Sequence, residues 1–114
     1  MKVADISQIK IVGKNNKYYK NFNLTEEYKE FQKEIYYRCK PVKIEKPYGV
    51  LIHFNMYHDI DAPVQAVLDV LEKKGVIEND RYILELQVFK KPIKRGRLGS
   101  VEVQVFSLSD AVGG

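Results

Sequence analysis

Residues 48–80 read YGVLIHFNMYHDIDAPVQAVLDVLEKKGVIEND, and their pattern decides the fold. Tyr48, Val50, Ile52, Phe54 and Met56 alternate with Leu51, His53 and Asn55, the period of two that a strand imposes. Apolar residues on both faces predict a central strand covered on much of both sides. After Met56 the period changes. Val64, Val67, Leu68 and Leu71 are spaced i, i+3, i+4, i+7, the stripe of a helix that packs on a sheet. Asp61 is placed to cap that helix, and Pro63 is tolerated in its first turn. Gly75 ends it after Lys73 and Lys74, cations suited to a helix C-terminus.

Outward from this unit, Tyr82 to Phe89 predicts a strand with Tyr82, Leu84, Leu86 and Val88 on one face. A last strand holds Val101, Val103 and Val105, alternating with Glu102 and Gln104. These two strands and the basic run between them read as a hairpin. On the other side, Thr25 is a good N-cap, and Glu26 and Glu27 favour the positive end of a helix. Tyr28, Phe31, Ile35 and Cys39 form its apolar stripe, and Pro41 stops it. Ile9 and Ile11, alternating with Gln8, Lys10 and Val12, predict a short first strand ended by Gly13. The order β-α-β-α-β-β predicts an α/β (α+β) domain: a mixed sheet with two helices packed on it, one domain over residues 1–114.

With 114 residues the chain is long enough to bury a core without staples. Its one cysteine, Cys39, excludes an intramolecular disulfide and suits a reducing, cytoplasmic setting. No apolar run approaches the roughly 20 residues of a membrane span, and residues 1–10 hold no signal-peptide core. The net charge of +4 matters less than its placement. Residues 90–97 hold five cations: Lys90, Lys91, Lys94, Arg95 and Arg97. Residues 14–21 interleave Lys14, Asn16 and Lys17 with Tyr18 and Tyr19, a pattern that suits phosphate contact by lysine and stacking by tyrosine. Both basic loops are expected to meet a phosphate-rich partner.

Asp59 and Asp61 stand where the strand gives way to the helix, and Asp80 lies in the turn after it. Carboxylates gathered at close range repel, and a hard cation relieves that repulsion; oxygen-only ligands suit Mg²⁺. In an extended segment Asp59 and Asp61 would face one side with Cα atoms roughly 7 Å apart, and Asp80 would close the site. The plainer reading is a helix cap and a polar turn. His58, next to Asp59, is open to phosphate contact, acid chemistry or support of the acids. Carboxylates ringed by cations, with no glycine-rich phosphate loop, fit phosphodiester cleavage better than nucleotide binding.

Four features in this order resemble the RusA-type Holliday-junction resolvases, small endodeoxyribonucleases of phages and bacteria. Asn15-Asn16-Lys17-Tyr18-Tyr19 resembles their N-terminal Asn-Asn-basic-Tyr-Tyr segment. Asp59-Ile60-Asp61 resembles their Asp-x-Asp motif. Val70-Leu71 through Lys74-Gly75-Val76, followed by Asp80, resembles their helix end and third acidic residue. Lys91 to Arg97 resembles the basic stretch before their final strand. The resemblance implies a homodimer that makes paired symmetric nicks in four-way junction DNA, in recombination and repair, with Mg²⁺ and with Asp59, Asp61 and Asp80 as catalytic carboxylates. Two positions depart from it. Ala62 stands where an Asn is usual, and Gln65 where a lysine is common; either Lys73, Lys74, Arg81 or a partner residue supplies that charge, or cleavage is slower, or the protein only binds. The rival expectations are a nucleic-acid-binding protein without catalysis and a Mg²⁺-dependent nuclease with another structural preference.

Overall fold

The computed structural model describes residues 1–17 and 24–109. Tyr18 and Tyr19, expected to touch DNA, lie outside the described residues, as do Lys20, Asn21 and positions 110–114. In chain order the elements are β1 (Lys2–Ile9), α1 (Glu26–Arg38), β2 (Tyr48–Met56), α2 (Asp61–Lys73), β3 (Ile83–Pro92) and β4 (Gly99–Ser107). Short 3-10 turns cover Lys14–Asn16 and Asp80–Tyr82. This is an α+β fold: a four-stranded mixed sheet with two helices, in the β-α-β-α-β-β order expected.

β2 spans the residues its alternation marks. Tyr48, Val50, Ile52, Phe54 and Met56 are all buried. They meet Val101, Val103 and Val105 of β4 and Val3 and Ile6 of β1, and the helices cover this face. α1 contributes Tyr28, Phe31 and Ile35, with the Thr25 hydroxyl accepting from the Tyr28 N–H at 3.2 Å, so the cap is formed as expected. α2 buries Ala62, Pro63, Ala66, Val67, Val70 and Leu71. Val64 and Leu68, expected in its apolar stripe, are only half-buried, whereas Ala66 and Val67 are fully buried.

Four expectations need correction. Among the described residues the helices cover one face of the sheet only: on the other, His53 is exposed and its ring stacks on Phe89, centroids 5.0 Å apart. β1 starts at Lys2 rather than near Ile9, because bulges between Lys2 and Ala4 and between Ser7 and Ile9 break its alternation; Gln8 sits at φ 58° in the second. β3 runs Ile83–Pro92 rather than Tyr82 to Phe89, taking in Lys90 and Lys91, and at the sheet edge it leaves Leu84 and Leu86 61% and 45% exposed.

The fourth correction matters most. β3 and β4 are not neighbours. The sheet order is β1-β4-β2-β3, with β2 parallel to β3 and antiparallel to β4, so no hairpin joins them. The basic run therefore crosses over the end of β2. The Ile93 N–H donates to the Met56 carbonyl at 3.3 Å, and a turn closed from Arg97 to Lys94 carries Gly96 at φ 83°. Among the described residues no helix is long and apolar enough to cross a membrane.

Candidate functional site

Where the basic link passes the end of β2, three segments meet: the 3-10 turn after Gly13, the loop Tyr57-His58-Asp59, and the link itself. Gly13, Lys14, Asn16, Tyr57, His58, Asp59 and Arg95 line one cavity of about 540 Å³. A second, of about 340 Å³, adjoins it, sharing Asn16, Tyr57, His58 and Arg95 and adding Ile11, Met56, Arg97 and Leu98 among others.

Two glycines make this convergence possible. A Cβ on Gly13 would stand 2.7 Å from His58 Nδ1, so the half-buried His58 side chain packs close against bare backbone. A Cβ on Gly99 would run into the Asn55 carbonyl and stand 2.8 Å from Ile11 Cδ1. β4 can thus start directly on β2, and the cationic link is drawn down on the loop that carries Asp59. Lys90 adds a hydrogen bond from Nζ to the Tyr57 carbonyl at 3.4 Å.

Asp59 and Asp61 are both exposed, and neither carboxylate has a hydrogen-bond or ion-pair partner among the described residues. Their expected display on an extended strand does not occur. Ile60 between them has helical dihedrals, φ −75° and ψ −19°. Ile60 rather than Asp61 is the N-cap of α2, with no side-chain bond; Asp61 is the first helical residue, near the positive end of the helix. Only Asp59 lines the cavity.

Asp80 lies elsewhere. Its N–H donates to Glu72 Oε1 at 2.8 Å, next to the last residue of α2. From Asp61 to Lys73 the helix rises about 18 Å. The sheet register agrees: Ile83 pairs with Tyr48 at the start of β2, whereas Asp59 follows its far end. One chain therefore does not bring Asp80 to Asp59 and Asp61. Among the described residues no group of three or more His, Cys, Asp or Glu side chains is placed to hold a metal ion.

The cations divide in the same way. Lys14, Arg95 and Arg97 line the two cavities, and Lys90 abuts Tyr57. Lys91 lies toward the outer side, beside Asn55 and Ser100, and Lys94 is exposed in the turn. Lys17 reaches over the Tyr28 ring, 5.0 Å from its centroid. Lys73 and Arg81 sit at the Asp80 end; Arg81 donates to the Tyr82 hydroxyl at 2.8 Å, so neither can replace the missing lysine near Asp61 within one chain. Gln65 donates to Asp69 at 2.8 Å, turned along the helix.

Sequence reasoning missed Glu72, half-buried and the acceptor that fixes the Asp80 N–H. It also missed Leu98 and Ile11 as cavity walls; no local pattern marks them, because only the crossing link brings them together. No family model matches the chain, and no curated protein matches it closely enough to count as a relative.

Proposed function

We propose that this protein is a Mg²⁺-dependent endodeoxyribonuclease that resolves four-way DNA junctions as a homodimer. The supporting observation is the crossing link: it gathers Arg95 and Arg97 beside Lys14, His58 and Asp59, so cations able to hold a phosphodiester border a carboxylate with no partner among the described residues. Lys14 and Arg95 neutralise the phosphates, Asn16 donates to phosphate oxygens, and the walls of Tyr57 and Gly13 limit water around the scissile bond. Asp59 and Asp61 are the ligands one chain offers a hard cation, and such an ion, when bound, would polarise the phosphate and activate water.

Two carboxylates from one chain leave the ion short of its third. A two-fold pairing of β3 edges would supply it. Antiparallel β3 strands set the Ile83 end of one copy beside the Pro92 end of the other, and Pro92 pairs with Met56, three residues before Asp59. Asp80 then falls about two strand spacings, roughly 10 Å, from the second copy's acid loop. The exposed Leu84 and Leu86 would be buried in that contact. Such a dimer places two sites symmetrically, as paired nicks across a junction require.

The second reading, a nucleic-acid-binding protein without catalysis, draws on the same fact that no three acids gather among the described residues of one chain. Synthetic four-way junction, linear duplex and flap DNA, each with and without Mg²⁺, separate the readings. Mg²⁺-dependent paired nicks in the junction are expected. Binding of all three without any cutting would make the protein a binder, and preferred cutting of flap or duplex would make it a nuclease of another specificity.

A further inference from the structure

The smaller cavity has a composition that phosphate binding does not explain. Ile11 and Met56 floor it, and Tyr57 and Leu98, 50% and 51% exposed, stand at its sides. Exposed large apolar groups facing each other across a concave space carry a solvation cost that a flat, planar guest would remove. Arg95 and Arg97 edge the same space, whereas Lys10 at its rim is already paired with Glu27 at 3.5 Å. An apolar slot bordered by cations has the complementary chemistry of a nucleotide: an aromatic base with an anionic backbone on both sides. The volume of about 340 Å³ is at the small end for ligand sites, suited to one base rather than two. The Tyr57 ring is also braced for stacking, edge-on to His58 with centroids 5.6 Å apart and with its carbonyl held by Lys90.

We propose that the cleft between Tyr57 and Leu98 takes up one nucleobase unstacked from the DNA strand whose phosphate lies at Asp59, with Tyr57 as the stacking surface. This rests on the reading of the neighbouring cavity as a DNA-cutting site, and it explains how a junction would be preferred over duplex. Pulling a base out of a helix costs least where stacking is already interrupted, and the crossover of a four-way junction is such a place. Selectivity then comes from deformability rather than from base sequence.

The test uses the whole protein and junction DNA carrying 5-iododeoxyuridine at single positions on either side of the crossover, irradiated without Mg²⁺ and mapped by mass spectrometry. Fully paired duplex with the label mid-helix is the control. A cross-link to Tyr57 is expected with the junction only. Tyr57→Ala should lose it and weaken junction binding roughly five- to a hundredfold, with Tyr57→Phe retaining both. Tyr57 is half-exposed, so these variants leave the core intact; circular dichroism and melting check it. Junction bound and cut with no cross-link at Tyr57, or a Tyr57→Ala protein that binds as wild type, overturns the base pocket and leaves the nuclease reading standing. A cross-link without any Mg²⁺-dependent cutting keeps the pocket and removes the nuclease. Failure to bind DNA removes both.

Discussion

The two ends of α2 are built on opposite plans. At its C-terminal end almost every polar group has a partner. Glu72 accepts from the Asp80 N–H, Asn79 accepts from the Arg81 N–H, and the Tyr48 hydroxyl accepts from the Glu78 N–H. Lys46 reaches Glu78 at 2.8 Å and also lies over the Tyr82 ring. At the N-terminal end no side chain caps the helix, and two exposed carboxylates have no partner among the described residues. The first end spends its polar groups on holding the chain; the second leaves them free for a ligand, the usual trade between stability and activity. The Asp80 carboxylate is an exception at the knitted end. Its backbone is fixed while its exposed side chain has no partner among the described residues, as the proposed second copy would need.

Mixing subunits gives the largest effect and the most direct attack on this contrast. Asp59→Asn and Asp80→Asn should each lower junction cutting by roughly 10²-fold or more, with binding retained. If the two ends meet across a dimer, a refolded equal mixture should regain about a quarter of the sites, one whole site per mixed dimer. Nicks would then replace paired cuts. A mixture as inactive as its components would show that Asp80 does not serve its partner's site.

Stability should respond in the reverse sense. Glu72→Ala leaves the Asp80 N–H without its acceptor and should cost about 0.5–1.5 kcal/mol. Asn79→Ala removes a cap worth about 1 kcal/mol. Asp59→Ala and Asp61→Ala should stay within about 0.5 kcal/mol of wild type. Urea titrations of the four variants decide; equal losses at both ends would erase the distinction.

Next in size is the link. Arg95→Ala should flatten the salt dependence of DNA binding by a slope of about 0.9, whereas Lys94→Ala, exposed in the turn, should change it less. Equal slopes would mean that the cavity does not face the DNA. Gln65→Lys tests the position that departs from the resolvase resemblance. Gln65 already points to Asp69 one turn along, and a lysine would pair there, so the gain in cutting rate should be under about fivefold. A larger gain would put position 65 in the site.

The smallest effect is in acid. The hydrogen bond from Lys46 holds the Glu78 carboxyl below its usual range. A carboxyl lowered in the folded state adds stability above its unfolded pKa, near 4.3, and that contribution is lost as pH falls through the lower folded value. Melting temperatures of wild type and Glu78→Gln should therefore differ slightly at neutral pH and converge below about pH 4.

Much of this was legible in the sequence. α1 with its Thr25 cap and β2 from Tyr48 to Met56 emerge as read, because long unbroken periods leave one solution. The distance of Asp80 was also legible in principle: thirteen helical residues carry the chain back along β2, and a parallel β3 must start at the far end. Strand partners were not. Alternation in β3 and β4 marks two strands but cannot say that β2 lies between them, and the cleft exists only because it does. Nor could the bulges that hide β1 be seen, since Val3, Ala4, Ile6 and Ile9 follow no single period.

One pairing bears on how the chain is made. β1 lies beside β4, with Lys2 opposite Gln104, so two segments about a hundred residues apart close the sheet. Contacts of that span slow folding, because the entropy of closing the loop is lost before the contact repays it. During synthesis β1 leaves the ribosome well before β4. A nascent chain reaching residue 92 already holds both helices, β2 and β3, yet β1 still lacks its sheet neighbour. Protection of the Ile6 amide from hydrogen exchange should therefore arrive only with the final strand.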